Sequence, residues 1–459
     1  MNAIIKRCFY IKFRPGRIIP ITCAYILLLL FILWTTWLSE YPKDIPRIFE
    51  RWAHALLFIQ YLLVFIGGLI LPAHELYQER MQNTSIFFTS LPLTAKEKLK
   101  GMIIGGNLTN ILFLLITIPL SVISGLVGGI GLHNIIATHI ILGPGMLFAS
   151  LLGFLITLTS SKNYSPVTLV ILFIIMGPFS TSFGPANPFL FLSPITYYHL
   201  SFIDQEALTA TSFFNVVCGA FIYLYFSYWL SIACLRKLED EESSLLSLKQ
   251  SVIFFFLTTF IFSGFMWESY ADNNKEWGKT AFHQFNLLWA FLGLLIASSF
   301  VKGYKAYLAA LGRPKRFNIG EHPCLLAIIF CAWLFLLSIP SFWMPFKGLP
   351  FFYPFLYFLR LGLFLVFFIT VMEFCAISQK GDGKGISWGV VIIVCIAPLI
   401  LGGVSQSPEL FVSASPLEMV KIEDMGLGCV YAIVGLVISK ILFWTRRKKL
   451  MEIRKGMQE

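Results

Sequence analysis

Charge is scarce in this chain. Asp, Glu, Lys and Arg together make up 13% of its 459 residues, about half the share of an ordinary soluble domain, while apolar residues reach 57% and aromatics 16%. Such a composition excludes a water-soluble globule. Cysteine pairs are missing too: none of the nine cysteines forms a CxxC motif, and Cys23, Cys218, Cys331, Cys375, Cys395 and Cys429 lie inside apolar runs as small packing residues. The seven histidines contain no HExxH, since His74-Glu75 is followed by Leu76-Tyr77-Gln78, so no metal site is expected. No phosphate loop is complete. Gly278-Lys279-Thr280 has Asn273 where the first glycine belongs, and Gly381-Asp382-Gly383-Lys384-Gly385 lacks the Ser or Thr that holds magnesium. The chain is therefore expected to be no enzyme and to carry no cofactor, with any ATP hydrolysis left to another subunit.

What the chain has in abundance is long apolar runs. An apolar run of about 20 residues crosses the hydrocarbon as a helix, because only an internally bonded backbone is tolerated there. Twelve such runs lie near residues 18-38, 54-73, 102-124, 135-159, 166-183, 212-234, 251-267, 281-301, 323-343, 352-377, 388-403 and 425-445. Basic residues favour the cytoplasmic side of short loops. With both termini inside, 26 of the 35 Lys and Arg fall in cytoplasmic segments, 7 outside, and Arg360 and Lys440 within spans. That bias predicts a multi-pass protein of the plasma (bacterial inner) membrane with both ends cytoplasmic. The net charge of +11 is then an orientation signal spread along span ends, and nucleic acid is not an expected partner.

Ahead of the first run, residues 4-14 fit an interfacial amphipathic helix. Ile4, Ile5, Cys8, Phe9, Ile11 and Phe13 cover one side of a helical wheel, and Lys6, Arg7 and Arg14 the other, with Lys12 the exception. Pro15-Gly16 ends it.

A duplication organises the whole. Pro178 pairs with Pro398, Pro188 with Pro408 and Leu190-Phe191 with Leu410-Phe411 at an offset of 220 residues, and Pro194 pairs with Pro416 at 222. Prolines cannot donate backbone hydrogen bonds and break helices, so these segments are expected to be broken and re-entrant, forming an outer gate before the last helix of each half. The expected architecture is an all-α integral membrane protein of two tandem six-helix repeats: residues 1-235, a cytoplasmic linker at 236-250, and 251-459.

The loop after the second run, residues 74 to 102, reads HELYQERMQNTSIFFTSLPLTAKEKLKGM. Ile86, Phe87 and Phe88 are costly in water and should meet the interface or a partner. Thr94 to Glu97 fits the S/T-x-x-E capping box and should start a helix that continues into the third span. This loop resembles that of the type-2 permease family of ATP-binding-cassette transporters, through Glu79-Arg80, Leu91-Pro92-Leu93-Thr94, Lys96 to Lys100 and Gly101. The resemblance implies six spans per half, an amphipathic helix before the first, re-entrant outer segments, and contact with cytoplasmic ATPase subunits through Glu79, Arg80, Phe87, Phe88, Leu91 and Pro92. The corresponding loop of the second half, from Val301, lacks the Glu-Arg pair and has Gly312-Arg313-Pro314 in place of the Leu-Pro turn, so the two halves are expected to contact an ATPase unequally.

Polar groups inside the runs are few. Arg360 is the candidate intramembrane site, while Asn107, Asn110, Gln60 and His139 are expected as hydrogen-bonding glue between helices. Lys440 and Glu373 lie close enough to a span end to reach water. The reading is the permease component of an exporter driven by separate nucleotide-binding subunits. A self-contained secondary transporter needs coupling carboxylates in the spans, a membrane enzyme needs a nucleophile or metal pattern around Glu409, Glu418, Glu423 and Asp424, and a scaffold or assembly subunit needs neither. The topology has a direct check: single cysteines placed in the tail after Arg446 should resist an impermeant maleimide in intact cells, and cysteines between Asp272 and Lys275 should react. Labelling of the tail from outside would overturn the orientation.

Overall fold

The computed structural model describes residues 2-40, 44-82, 92-159, 210-240, 243-271, 293-294, 296-297, 300-301, 329-330, 332-333, 352-378 and 422-456. The elements formed among them are all helical: α1 (Ala3–Lys12), α2 (Pro15–Glu40), α3 (Ile45–Tyr61), a π-helical segment (Leu62–Gly67), α4 (Gly68–Met81), α5 (Ala95–Val127), α6 (Leu132–Ile140), α7 (Leu142–Thr159), α8 (Ala210–Glu239), α9 (Leu248–Ala271), α10 (Phe352–Ser378) and α11 (Ile422–Gly456). The chain separates into two compact units, Met1–Leu245 and Leu246–Glu459. The repeated proline segments around Pro178, Pro188, Pro194, Pro398, Pro408 and Pro416 lie outside the described residues, as do Phe87, Phe88 and Leu91.

Five stretches among the described residues are long and apolar enough to cross a membrane: Pro15–Leu38, Ile45–Met81, Ala95–Val127, Ile135–Thr159 and Cys429–Glu452. The protein is membrane-embedded. Ile45–Met81 spans 37 residues, which at 1.5 Å per residue is about 55 Å against a hydrocarbon thickness of about 30 Å. Its polar last two turns, from His74, therefore stand clear of the apolar interior. On α2 the residues Leu27, Leu30, Phe31, Trp34 and Trp37 are exposed, an apolar belt ending in indoles of the kind that sit at the headgroup level.

Local signals set the helix ends. Thr94 accepts from the Glu97 amide at 3.3 Å while the Glu97 carboxylate accepts from the Thr94 amide at 2.9 Å, so the expected capping box starts α5. Pro15 does more than end the first helix. It opens α2 as its first residue, where its missing N–H costs nothing. The fourth apolar run is broken at Ile141 into α6 and α7, because Pro144 cannot donate to the carbonyl four residues back.

Within the first unit, α5 is the hub: α3, α4 and α1 pack on it, α7 packs on α4, and α8 packs on α7. Apolar side chains gain little by leaving an apolar solvent, so association rests on close packing and interhelical hydrogen bonds. A Cβ at Gly106 would lie 2.8 Å from Pro72 Cα, and one at Gly153 would run into the carbonyl of Leu69. Glycine is thus required where α4 meets both neighbours. Between them lies a core of Tyr61, Val64, Phe65, Leu69, Ala73, Leu114, Ile141, Leu142 and Ala149. A second core joins α2, α3 and α5 through Tyr25 stacked on Phe113 at 4.1 Å, with Leu29, Trp52 and Leu56.

The π segment has an identifiable support. Asn110 Nδ2 donates to Leu63 O at 3.2 Å and to Asn107 Oδ1 at 3.3 Å, and Asn107 Nδ2 donates to Ser150 Oγ at 2.8 Å. Asn107 and Asn110 are the interhelical glue expected of them, and Asn110 inserts beside Gly67, where a Cβ would sit 2.6 Å from its Nδ2. In the second unit α10 packs on α11, with Phe367 against Gly435, and Phe255 of α9 stacks on Phe330 at 4.0 Å.

Gly153→Val and Gly106→Val should each destabilise the first unit by about 1–3 kcal/mol through overpacking. Gly143→Ala, where nothing lies within 4 Å, should leave the thermal midpoint in detergent unchanged or slightly raised. Equal midpoints for Gly153→Val and Gly143→Ala would refute the close-approach account.

Candidate functional site

The polar end of α4 brings together charged side chains of two helices, its own Glu75, Glu79 and Arg80 and Arg7 and Lys12 of α1. Glu75 and Glu79 are four residues apart and share one face of α4, the face toward α1. Arg7 reaches Glu79 at 3.5 Å and Lys12 reaches Glu75 at 3.0 Å. Lys12 also donates to Gly106 O on α5 at 2.7 Å. The lysine that breaks the apolar side of the α1 wheel is thus no exception: the inner face of α1 is Ile4, Cys8 and Lys12, at successive i,i+4 positions. Ile4 is buried, while Phe9, Tyr10 and Ile11 are exposed.

Asn2 fixes the other end of α1. Its Oδ1 accepts from the Ile4 amide at 2.9 Å and its Nδ2 donates to Glu97 O at 2.7 Å, so one side chain caps α1 and ties it to the first turn of α5. Cys8 packs over Gly105 of α5, where a Cβ would lie 2.8 Å from its Sγ. Burial pushes the Cys8 thiol up from its ordinary range, with Glu75 adding and Lys12 and Arg7 opposing, so it remains a neutral packing group.

Arg80 leaves α4 about 100° away from Glu79. It donates through Nη1 to Thr157 O at 2.6 Å and through Nη2 to Leu158 O at 3.2 Å, two carbonyls in the last turn of α7. A guanidinium there meets both the orphan acceptors and the negative end of the helix dipole. Glu79 and Arg80 therefore serve different partners, one binding α1 and the other α7. Together the two residues and their neighbours join four helices at one end of the bundle. Pro92, at the other end of the intervening segment, is exposed.

The sequence pointed to Glu79 and Arg80 but missed Arg7, Lys12 and Glu75 as their company. Two signals were present, the i,i+4 spacing of the two glutamates and the misplaced lysine, yet neither says which helix lies opposite.

Arg360 lies elsewhere, in the second unit. It is 3% exposed, and its guanidinium is 5.8 Å from the Phe364 ring centroid. Cys429 of α11 lies within its electrostatic reach, and farther along the same helix pair Glu373 of α10 and Lys440 of α11 lie within reach of each other. Lys440 also sits 5.8 Å from the Phe443 ring centroid, and Arg447 lies 5.4 Å from that of Trp444. Among the described residues no group of three or more metal-ligating side chains occurs. No family model matches the chain, and neither a curated protein nor a solved structure is significantly similar to it.

The geometry ranks the charges. Arg80, with two charge-assisted bonds to helix carbonyls, should matter most: Arg80→Gln should lower the unfolding free energy in mixed-micelle titrations by about 1–3 kcal/mol. Arg7, whose side chain is 46% exposed, holds a screened pair, and Arg7→Gln should cost less than about 1 kcal/mol. The reverse order would show that α1 rather than α7 depends most on this end of α4.

Proposed function

We propose that this chain is the transmembrane permease component of an ATP-binding-cassette exporter of the bacterial inner membrane, with both termini cytoplasmic and ATP hydrolysed by separate nucleotide-binding subunits. The observation that carries the reading is the charged clasp at the end of α4. The segment that follows Met81 contains the aromatics Phe87 and Phe88 and the Leu91-Pro92 turn, suited to anchoring a partner. It runs between α4, clasped to α1 and α7 by Glu75, Glu79 and Arg80, and α5, rigidly started by its capping box. A push on that segment is delivered to four helices at once. No step of this mechanism uses a nucleotide-binding motif in the chain itself, in keeping with the incomplete phosphate loops. Two six-helix halves and an outer proline gate complete the reading as a fused permease pair, with Arg360 as a polar group of the second half.

The purified chain in nanodiscs should hydrolyse no ATP and should gain turnover only with a nucleotide-binding subunit encoded beside its gene. Phe87→Ala with Phe88→Ala should reduce capture of that subunit at least tenfold. Glu79→Arg should uncouple transport while leaving capture intact, and adding Arg7→Glu in the same chain should restore it. ATP turnover by the isolated chain, or capture indifferent to Phe87 and Phe88, would refute the proposal.

A further inference from the structure

The same bundle carries an uncharged polar chain in its interior, far along α5 from the clasp. Gln60 of α3 donates from Nε2 to Ser121 Oγ of α5 at 2.8 Å, and Ser121 Oγ lies 3.1 Å from His139 Nε2 of α6. The other ring nitrogen, Nδ1, is 2.6 Å from Ile135 O. A carbonyl only accepts, so Nδ1 carries a hydrogen. The Ser121 hydroxyl then has two acceptors within reach, His139 Nε2 and Ile118 O at 2.9 Å, and one hydrogen to give.

Those two choices match two protonation states of the ring. With the hydroxyl turned to His139, the imidazole is neutral and both its nitrogens are satisfied. With the hydroxyl turned to Ile118 O, the Ser121 oxygen accepts from an Nε2–H, and the ring is an imidazolium with both donors satisfied. This hydroxyl rotation moves no heavy atom. Gln60 supplies an independent observation: it is fully buried, and its Oε1 has no hydrogen-bond partner among the described residues. An open acceptor in an apolar bundle ordinarily costs on the order of 1–3 kcal/mol. Reversal of the amide gives the Ser121 hydroxyl a third outlet, onto that oxygen, in the charged state.

We propose that Gln60, Ser121 and His139 form a proton-binding site inside the bundle, with His139 Nε2 as the atom that takes the proton. Water delivers it: the Nε2 lone pair forms the new N–H bond, hydronium returns to water, and the charge is spread through Ser121 to a carbonyl. His139 is half-buried and stands about 10 Å along α6 from Leu132, the residue that follows the Gly128–Gly131 turn. Other ionisable groups are few around it. Between Gly101 and Thr159 they are His133 and His139 alone; α3 brings Glu50, Arg51 and His54, more than a turn before Gln60, and Tyr61, whose hydroxyl donates to Thr138 O at 3.4 Å. From α8 comes Tyr223, in ring contact with Phe65, while Arg236, Lys237 and Glu239 end that helix. The site stands whether or not the helices are driven by an ATPase.

Nitrogen-15 NMR of histidine-labelled protein in nanodiscs tests it, with the His139 signals assigned by their loss in His139→Gln. Between about pH 8 and pH 5 His139 should pass from the Nδ1–H tautomer to the imidazolium. Ser121→Ala removes the acceptor for Nε2–H and should lower the midpoint by on the order of one pH unit; Gln60→Leu should lower it in the same sense, and Tyr61→Phe should leave it in place. If Ser121→Ala does not reconstitute, Gln60→Leu and the wild-type titration decide. A His139 that stays neutral down to pH 5, or that titrates identically in the wild type and in the recovered variants at Ser121 and Gln60, would overturn the proposal.

Discussion

Close contact of α4 with α5 and α7 is the interaction on which the first unit depends. In an apolar solvent, helices gain little by burying leucine against leucine, so backbones must approach closely enough for dispersion and polar contacts to hold them. Gly106 against Pro72 and Gly153 against the Leu69 carbonyl create that approach. Asn110 can then reach Leu63 O on the π segment, and Arg80 can reach the last carbonyls of α7. Were the helices an ångström farther apart, these bonds would lengthen beyond useful range.

Polarity is distributed along the bundle with a consistent logic. Where α4 leaves the hydrocarbon, Glu75, Glu79 and Arg80 are each directed at a partner on a neighbouring helix. Uncharged groups occupy the interior, where the Asn107, Asn110 and Ser150 set supports the π segment and the Gln60, Ser121 and His139 set lies farther along α5. The π segment held by the first of these sets is of a kind that recurs at functional positions. It also separates the part of the long helix that carries Gln60 from the part that carries Glu75, Glu79 and Arg80. In the second unit the charges are instead carried into the helix pair itself, with Arg360 near Cys429 and Glu373 near Lys440, and the basic end of α11 is flanked by Trp444 in the manner of an interface anchor.

Much of this was legible along the chain. Five apolar stretches among the described residues are long enough to cross the membrane, and the capping box from Thr94 to Glu97 specifies the start of α5 because both partners lie within one turn. Pro15 marks a boundary for a similar reason, since a missing N–H acts on its own helix, whereas the break of the fourth run at Ile141 was not foreseen: Pro20, Pro72 and Pro119 sit inside unbroken helices. Length and composition thus determine that the protein is helical and membrane-embedded.

Partners across helices were beyond that reading. Lys12 looked misplaced until Glu75 and Gly106 O stood opposite it, 63 and 94 residues along the chain. Arg80 looked like one half of a Glu-Arg pair until the end of α7 received it, and His139 and Gln60, expected as glue between helices, found their common partner only when Ser121 of α5 came within reach. By itself the sequence determined that the chain is helical and membrane-embedded and where individual helix starts fall, as at Pro15 and Thr94, since a start depends on contacts within a few residues. Only the tertiary structure decided which polar groups meet, since that depends on how the helices are rotated about their axes and how closely glycine lets them approach.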